Sequence, residues 1–449
     1  MNAERTSIFS DVPVRKAVLT LAIPTVISQL ITVVYNMADT FFIGKLNDPQ
    51  QVAAATIAMP CFVLLTGFAN LFGLGGSSLI SRCLGTGNQE EARHCASFCI
   101  WTGAAVALLY GIAVILLEPL LFPLLGANAD TWAYCHQYTF WTIGIGAVPT
   151  VMNAELAHLI RAEGYSKPAG FGVAFGGILN IILDPIFIFV FRMNIEGAAI
   201  ATMLSNVIAM EYFFGFLYRI RKNTVITTNL KEFSLGQHIP AEVLSVGLPG
   251  FLMTMMATIS NAALNHMVAE CSDTAIAGMG IAKKIDSLAY AIAQGMTQGT
   301  LPLIGYNYTS GNHKRMKAAI KTAFTYSFLV ASFGAGLLWT LAAPISRCFI
   351  ADTETVQYGQ HFLKIICLAC PTTAVNFMVI TVFQAIGKKI QPFCLSLLRK
   401  GSLDVVFMLI LNGAVGVSGI AWATPLADWL AFAISAMLIV LQLRQLRSE

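Results

Sequence analysis

Twelve apolar runs, each long enough to cross a bilayer, constrain this chain more than any other feature. A helix of about 20 predominantly apolar residues, rising 1.5 Å per residue, spans a hydrocarbon core of roughly 30 Å. Such runs occupy residues 17–43, 52–80, 92–117, 132–160, 168–191 and 196–220, then 240–269, 275–306, 316–343, 358–386, 391–411 and 419–443. With 56% hydrophobic and 11% charged residues among 449, too few polar side chains remain to cover a water-soluble globule. The sequence therefore predicts an all-α membrane protein with twelve transmembrane helices and short connections.

Residues 1–16 are polar and mixed in charge, so no removable signal is expected there and the first run serves as its own insertion signal. Lysine and arginine alternate in density between successive connections. One side carries Arg5, Arg15 and Lys16, then Arg82 and Arg93, Arg161 and Lys167, and Arg219, Arg221, Lys222 and Lys231. It continues with Lys314, Arg315 and Lys317, Lys388 and Lys389, and Arg444 and Arg447, while the opposite side holds Lys45, Arg192 and Arg347. This bias places both termini in the cytoplasm of a multi-pass protein of the cell membrane. It also accounts for the net charge of +4 without a nucleic acid or acidic partner.

The chain repeats itself at an offset of about 225 residues. Leu21-Ala22-Ile23-Pro24 aligns with Val246-Gly247-Leu248-Pro249, Gly87-Asn88 with Gly311-Asn312, and Pro119 with Pro344. Arg161 to Gly164 then aligns with Gln384 to Gly387, Pro168 with Pro392, and Gly197 to Thr202 with Gly419 to Thr424. Six spans return each half to the side it started from, so the repeats are parallel, related by an axis along the membrane normal. The expected organisation is an N-terminal segment (1–16), a first lobe of six helices (17–220), a linker (221–239) and a second lobe of six helices (240–449), with a cleft between lobes. The linker, the longest polar stretch on its side, is the expected hinge; a plain tether would read the same.

An ionisable residue near the bilayer centre costs at least about 2.5–3.5 kcal/mol and persists mainly where it is paired or used. Asp39 and Asp184 stand out. Tyr35 and Asn36 share a helix face with Asp39, Asn180 lies one turn before Asp184, and Thr202 offers a hydroxyl at similar depth. Two carboxylates, an amide and a hydroxyl can form an oxygen cage for a hard monovalent cation, or a pair that shares and releases a proton. The plainer reading is that each carboxylate is hydrogen-bonded within its bundle. For Asp184, polar groups around Pro185 can simply repair the helix that the proline breaks. The ten cysteines, including Cys95/Cys99 and the C-x-x-C of Cys367 and Cys370, lie mostly within spans and read as packing rather than metal or redox chemistry.

Val34 to Gly44, V-Y-N-M-A-D-T-F-F-I-G, resembles the first-helix signature of the multidrug and toxin extrusion (MATE) family. Gly75-Gly76-Ser77-Ser78, Arg82 through Asn88, Arg161 to Gly164 with Pro168, and Gly305-Tyr306-Asn307-Tyr308 extend the likeness over nearly the whole chain. The resemblance implies a monomeric antiporter whose lobes rock around a central cavity. Such a protein exports small organic, often cationic, compounds against inward Na+ or H+, with that ion as its only cofactor. Asp39, Asn180, Asp184 and Thr202 match the family's first-lobe cation site, and Asn153 matches a polar position near the same cavity. Tyr35 and Asn36 are cavity candidates on spacing alone. Some relatives place a second cation site on acids of the seventh and tenth helices; those spans lack an interior carboxylate here, with Glu270 at the end of the seventh.

The second half still carries charge inside its spans. Lys283, Lys284 and Asp286 in the eighth, Arg399, Lys400 and Asp404 in the eleventh, and Asp428 in the twelfth read first as structural pairs or snorkelling groups. Asp428 has no obvious partner nearby in sequence. Gly172-x-x-x-Gly176 and Gly295-x-x-x-Gly299 read as helix-packing surfaces. No phosphate-binding loop, H-E-x-x-H or serine-nucleophile motif occurs, which argues against an ATP-driven pump or an enzyme. A lipid-linked or amphipathic-substrate flippase and a passive channel remain the alternatives, the former expected to show a more cationic cavity. Ion coupling is energetically sufficient: one monovalent ion descending 100 mV yields about 2.3 kcal/mol, and a tenfold gradient adds about 1.4.

Overall fold

The computed structural model describes residues 3–236, 238–269, 271–350 and 352–448; Glu270 lies outside them. Each predicted run is helical. The first six spans are Val14–Gly44, Pro49–Thr86, Gln89–Leu124, the pair Ala129–Ile145 and Ala147–Ala162 bent by 49°, Ser166–Val190 and Asn194–Ile220. The second six are Ile239–Ala269, Asp273–Thr309, His313–Thr340, Thr353–Ala385, residues 390–415 and Val417–Ser448. Short helices Ala3–Ser10 and Ala342–Phe349 precede the first and follow the ninth span. The two halves are the two six-helix lobes of one twelve-helix architecture.

Polar residues punctuate the helices in the same way in both lobes. Gly87 and Gly311, at φ 81° and 76°, take the left-handed turn that ends the second and eighth helices. Each is followed by an asparagine whose side chain caps the next helix: Asn88 accepts from Glu91 N at 3.2 Å and Asn312 from Arg315 N at 3.1 Å. Gly164 and Gly387, at φ 89° and 75°, repeat the device after the fourth and tenth helices. The internal repeat of the sequence is thus a repeat of turns as much as of apolar runs.

The lobes meet through the second and seventh helices and the first and eighth, which make the most extensive contacts in the molecule. Glycine makes this approach possible. A Cβ on Gly75 would collide with the Val243 carbonyl and one on Gly247 with the Leu71 carbonyl. On the eighth helix, a Cβ on Gly295 would meet Val26 Cα at 2.5 Å and one on Gly299 would meet Ala22 Cα at 2.7 Å. The other glycine pair packs within its lobe, Gly172 against Phe213 and Gly176 against Ala209.

Interlobe hydrogen bonds concentrate towards the face that holds both chain ends. Gln29 donates to Gln298 at 2.8 Å and Asn70 to Thr254 at 3.1 Å at mid-height. Nearer the terminal face, Ser78 donates to the Gln384 carbonyl at 2.6 Å and Thr309 to the Arg82 carbonyl at 2.7 Å. There Glu242 bridges Arg82 at 2.9 Å and Lys389 at 2.6 Å. The far halves of the first, seventh and eighth helices instead present Asn36, Asn261, Asn265 and Lys284 as exposed polar groups. Lipid solvates such groups poorly, so an aqueous opening on that side suits them better.

The linker is more firmly held than a tether. Thr224 Oγ1 and Val225 N donate to the Glu163 carboxylate at 2.5 and 2.6 Å, Val225 and Ile226 are buried, and Trp101 Nε1 donates to the Thr228 carbonyl at 3.0 Å. With Ser97 donating to the Asn229 carbonyl at 3.1 Å, residues 224–229 form part of the first lobe's wall, and any hinge falls later in the linker.

Candidate functional site

The first lobe gathers the predicted polar residues around Asn180. Its amide Nδ2 lies 3.2 Å from both Asp184 Oδ1 and Thr202 Oγ1, tying the fifth helix to the sixth. Asn180 and Asp184 are 1% and 0% exposed. Asp39 lies on the first helix, which packs on the fifth with Tyr35 against Gly177, and its carboxylate is within electrostatic range of Asp184. The polar chain continues inward: Asn206 Nδ2 donates to the Thr202 carbonyl at 3.0 Å, and Asn153 Nδ2 to Asn206 Oδ1 at 2.8 Å.

Among the described residues, four oxygens of this polar chain have no hydrogen-bond partner: Asp39 Oδ1, Asp184 Oδ2, Asn180 Oδ1 and, further along, Asn153 Oδ1. A buried acceptor left unpaired costs of order 1–3 kcal/mol, so a group of them is chemically suited to an electropositive partner. The local backbone supports the placement. Asp184 is followed by Pro185 and a π-helical turn, Ile186–Val190, while the π-helical turn Phe140–Ile145 begins two residues after Tyr138. Such turns recur at functional sites because they re-aim side chains without ending the helix.

A cavity of about 200 Å³ adjoins the cluster and is bordered by both lobes. Tyr35, Asn153 and Asn180 line it from the first lobe, Gln294 and Gln298 from the second. Asn36 is exposed and outside this lining. Sequence reading missed three buried groups of the fourth helix. Arg161, 3.2 Å from His158 Nδ1, lines the cavity with it, and Glu155 is fully buried with neither carboxylate oxygen paired. Their one-turn spacing was visible, but an A-x-x-x-R-type ending on an apolar helix is indistinguishable from a basic-side flank until the turn after Ala162 is placed.

The second lobe holds a different cluster. Asp428, which has no obvious partner nearby in sequence, is gripped from two other helices: Arg399 Nε lies 2.5 Å away and Thr373 Oγ1 donates at 2.5 Å. No local sequence signal could show this, since Arg399 is brought to it by packing of the eleventh helix on the twelfth. Lys400 pairs with Asp404 at 3.5 Å as its i, i+4 spacing suggests, and Asp404 also accepts from Ser260 at 2.5 Å. Lys283 and Asp286 lie within the same field. At the offset that pairs Pro168 with Pro392, Asn180 pairs with Asp404, and Thr424, counterpart of Thr202, lines the small cavity beside Asp428. At that same offset Asp184 pairs with Met408, so the second cluster shares two positions with the first and adds cations of its own, Arg399 and Lys400.

A family model described as MatE matches twice, at residues 24–186 and 249–410, once per lobe. Multidrug export protein MepA of Staphylococcus aureus (strain MRSA252) is 30% identical over 444 residues, 99% of this chain and 97% of that protein. MepA of Staphylococcus saprophyticus is 29% identical with the same coverage. Among solved structures, a MATE in complex with MaL6 superposes with a TM-score of 0.91 over 100% of both chains at 23% identity. A MOP superfamily transporter from Pyrococcus furiosus, described as having a binding pocket of reverse polarity, gives 0.87 over 98% and 99% of the chains at 24% identity. These likenesses place the protein among multi-pass transporters of one fold. The chain belongs to the MATE family.

Proposed function

We propose that this protein is a cation-coupled antiporter that, as a monomer, exports small organic and often cationic compounds by alternating access. Its relatives named for multidrug export support the substrate class. The observation that carries the coupling is the group of unpartnered oxygens of Asp39, Asn180 and Asp184 beside the cavity. Two ionised carboxylates in electrostatic contact repel, and a bound Na+ or a shared proton relieves that repulsion. Ion entry then draws the first helix towards the fifth, reshapes the cavity wall at Tyr35 and Asn180, and favours release of the compound. A ligand moves such an equilibrium only by binding one state better than the other, and the carboxylate pair supplies that difference.

The basic face, with both termini, is cytoplasmic in this reading. Closure at that face and an open far side then make the present arrangement outward-facing. The test is efflux of a fluorescent organic cation from vesicles with Na+ and proton gradients imposed separately. Uphill efflux driven by one gradient is expected. Passive conductance would instead indicate a channel, and movement of a lipid-linked compound without cation efflux would indicate a flippase.

A further inference from the structure

A second, unrelated cavity lies at the basic face of the first lobe. It is a groove of about 680 Å³ between the third helix, the sixth helix and the linker. Its inner wall is the end of the sixth helix, with Phe214, Gly215, Leu217 and Tyr218, and Tyr218 is 70% exposed on the outer surface. Nothing lies within 4 Å of where a Cβ on Gly215 would point, so the groove is open at its apolar end. The opposite wall is polar: Thr227, Thr228 and Asn229 of the linker, fixed there by the Trp101 and Ser97 hydrogen bonds to its carbonyls.

Two guanidinium groups rim the polar end. Arg221 is held over the Tyr218 ring at 4.1 Å, which pre-positions it. Arg93, at the start of the third helix, is exposed and has no carboxylate partner among the described residues. The acid that also lines the groove, Glu232, is turned towards His94, 3.6 Å from its Nδ1. An apolar slot with an exposed tyrosine beside it, ending in two arginines and a row of hydroxyl and amide groups, matches an amphiphile with an anionic head.

We propose that this groove binds an anionic phospholipid, its phosphate between Arg93 and Arg221 and an acyl chain along Phe214, Gly215 and Leu217. The same arginines suit free phosphate, but the apolar wall has no use for it. Occupancy ties the third helix, the sixth helix and the linker together at the base of the first lobe.

The test is retention of phosphatidylglycerol against phosphatidylcholine by the full chain, followed by native mass spectrometry during detergent exchange. Preferential retention of phosphatidylglycerol is expected, reduced roughly tenfold or more in Arg93→Gln/Arg221→Gln. Gly215→Phe, which fills the slot and leaves both arginines in place, should lose it equally, and Lys314→Gln on the second lobe should not. Equal retention of the two lipids, an unchanged Gly215→Phe variant, or displacement by millimolar inorganic phosphate would each overturn the assignment.

Discussion

Asn180 spends its amide donor on two partners, Asp184 and Thr202, and leaves its own oxygen free. Replacing it with leucine removes one prospective ion ligand and the group that orients two others. Loss of such an orienting partner typically costs 10- to 100-fold in ion affinity. Asn180→Leu is therefore expected to raise the ion concentration that half-saturates transport by about that factor, measured as initial efflux rate against external Na+ or pH. In the second lobe the equivalent residue is Asp404, already paired with Lys400. Removing a partner from a buried pair exposes that balance. Arg399→Met strands Asp428 and should destabilise the protein by about 3–5 kcal/mol, whereas Arg399→Met/Asp428→Leu should recover most of the loss, as read by thermal unfolding in detergent.

At the scale of the helix, irregular turns sit beside the polar clusters rather than in featureless stretches. Asp184 abuts one π-helical turn, and Arg399 and Lys400 lie within another, Leu398–Ser402. Pro185→Ala should let the fifth helix regularise, leaving thermal stability equal or higher while ion-driven efflux falls severalfold. A variant that transported normally would show that the turn does not aim Asp184. The helices themselves were legible from run length, Asp39 and the Asn180/Asp184 pair stood out as polar groups inside apolar helices, and Thr202 was singled out by its depth and by the family resemblance. What spacing could not show was contact between helices. Arg399 meeting Asp428, Glu163 holding the linker, and Arg82 meeting Glu242 join residues more than 25 positions apart, and each depends on how whole helices pack.

For the molecule as a whole, the bare backbone contacts at Gly75 and Gly247 set how closely the lobes shut at the basic face. A larger residue there cannot be accommodated without parting the second and seventh helices. Gly247→Val should hold that face open and shift the protein towards its opposite state. In a background lacking the exposed Cys271, Cys348 and Cys394, labelling of Asn36→Cys by an impermeant maleimide from the outer side should then drop severalfold. Unchanged labelling would mean that closure at one face is not coupled to opening at the other.

In the proposed mechanism the driving ion acts at the first-lobe carboxylates. Asp39→Asn and Asp184→Asn keep size and remove charge, so the fold has little reason to change. The decisive measurement is gradient-driven efflux of an organic cation from proteoliposomes containing each variant, alongside its thermal unfolding. Normal unfolding with ion-driven efflux abolished is expected in both. Normal gradient-dependent efflux by either variant would contradict that mechanism.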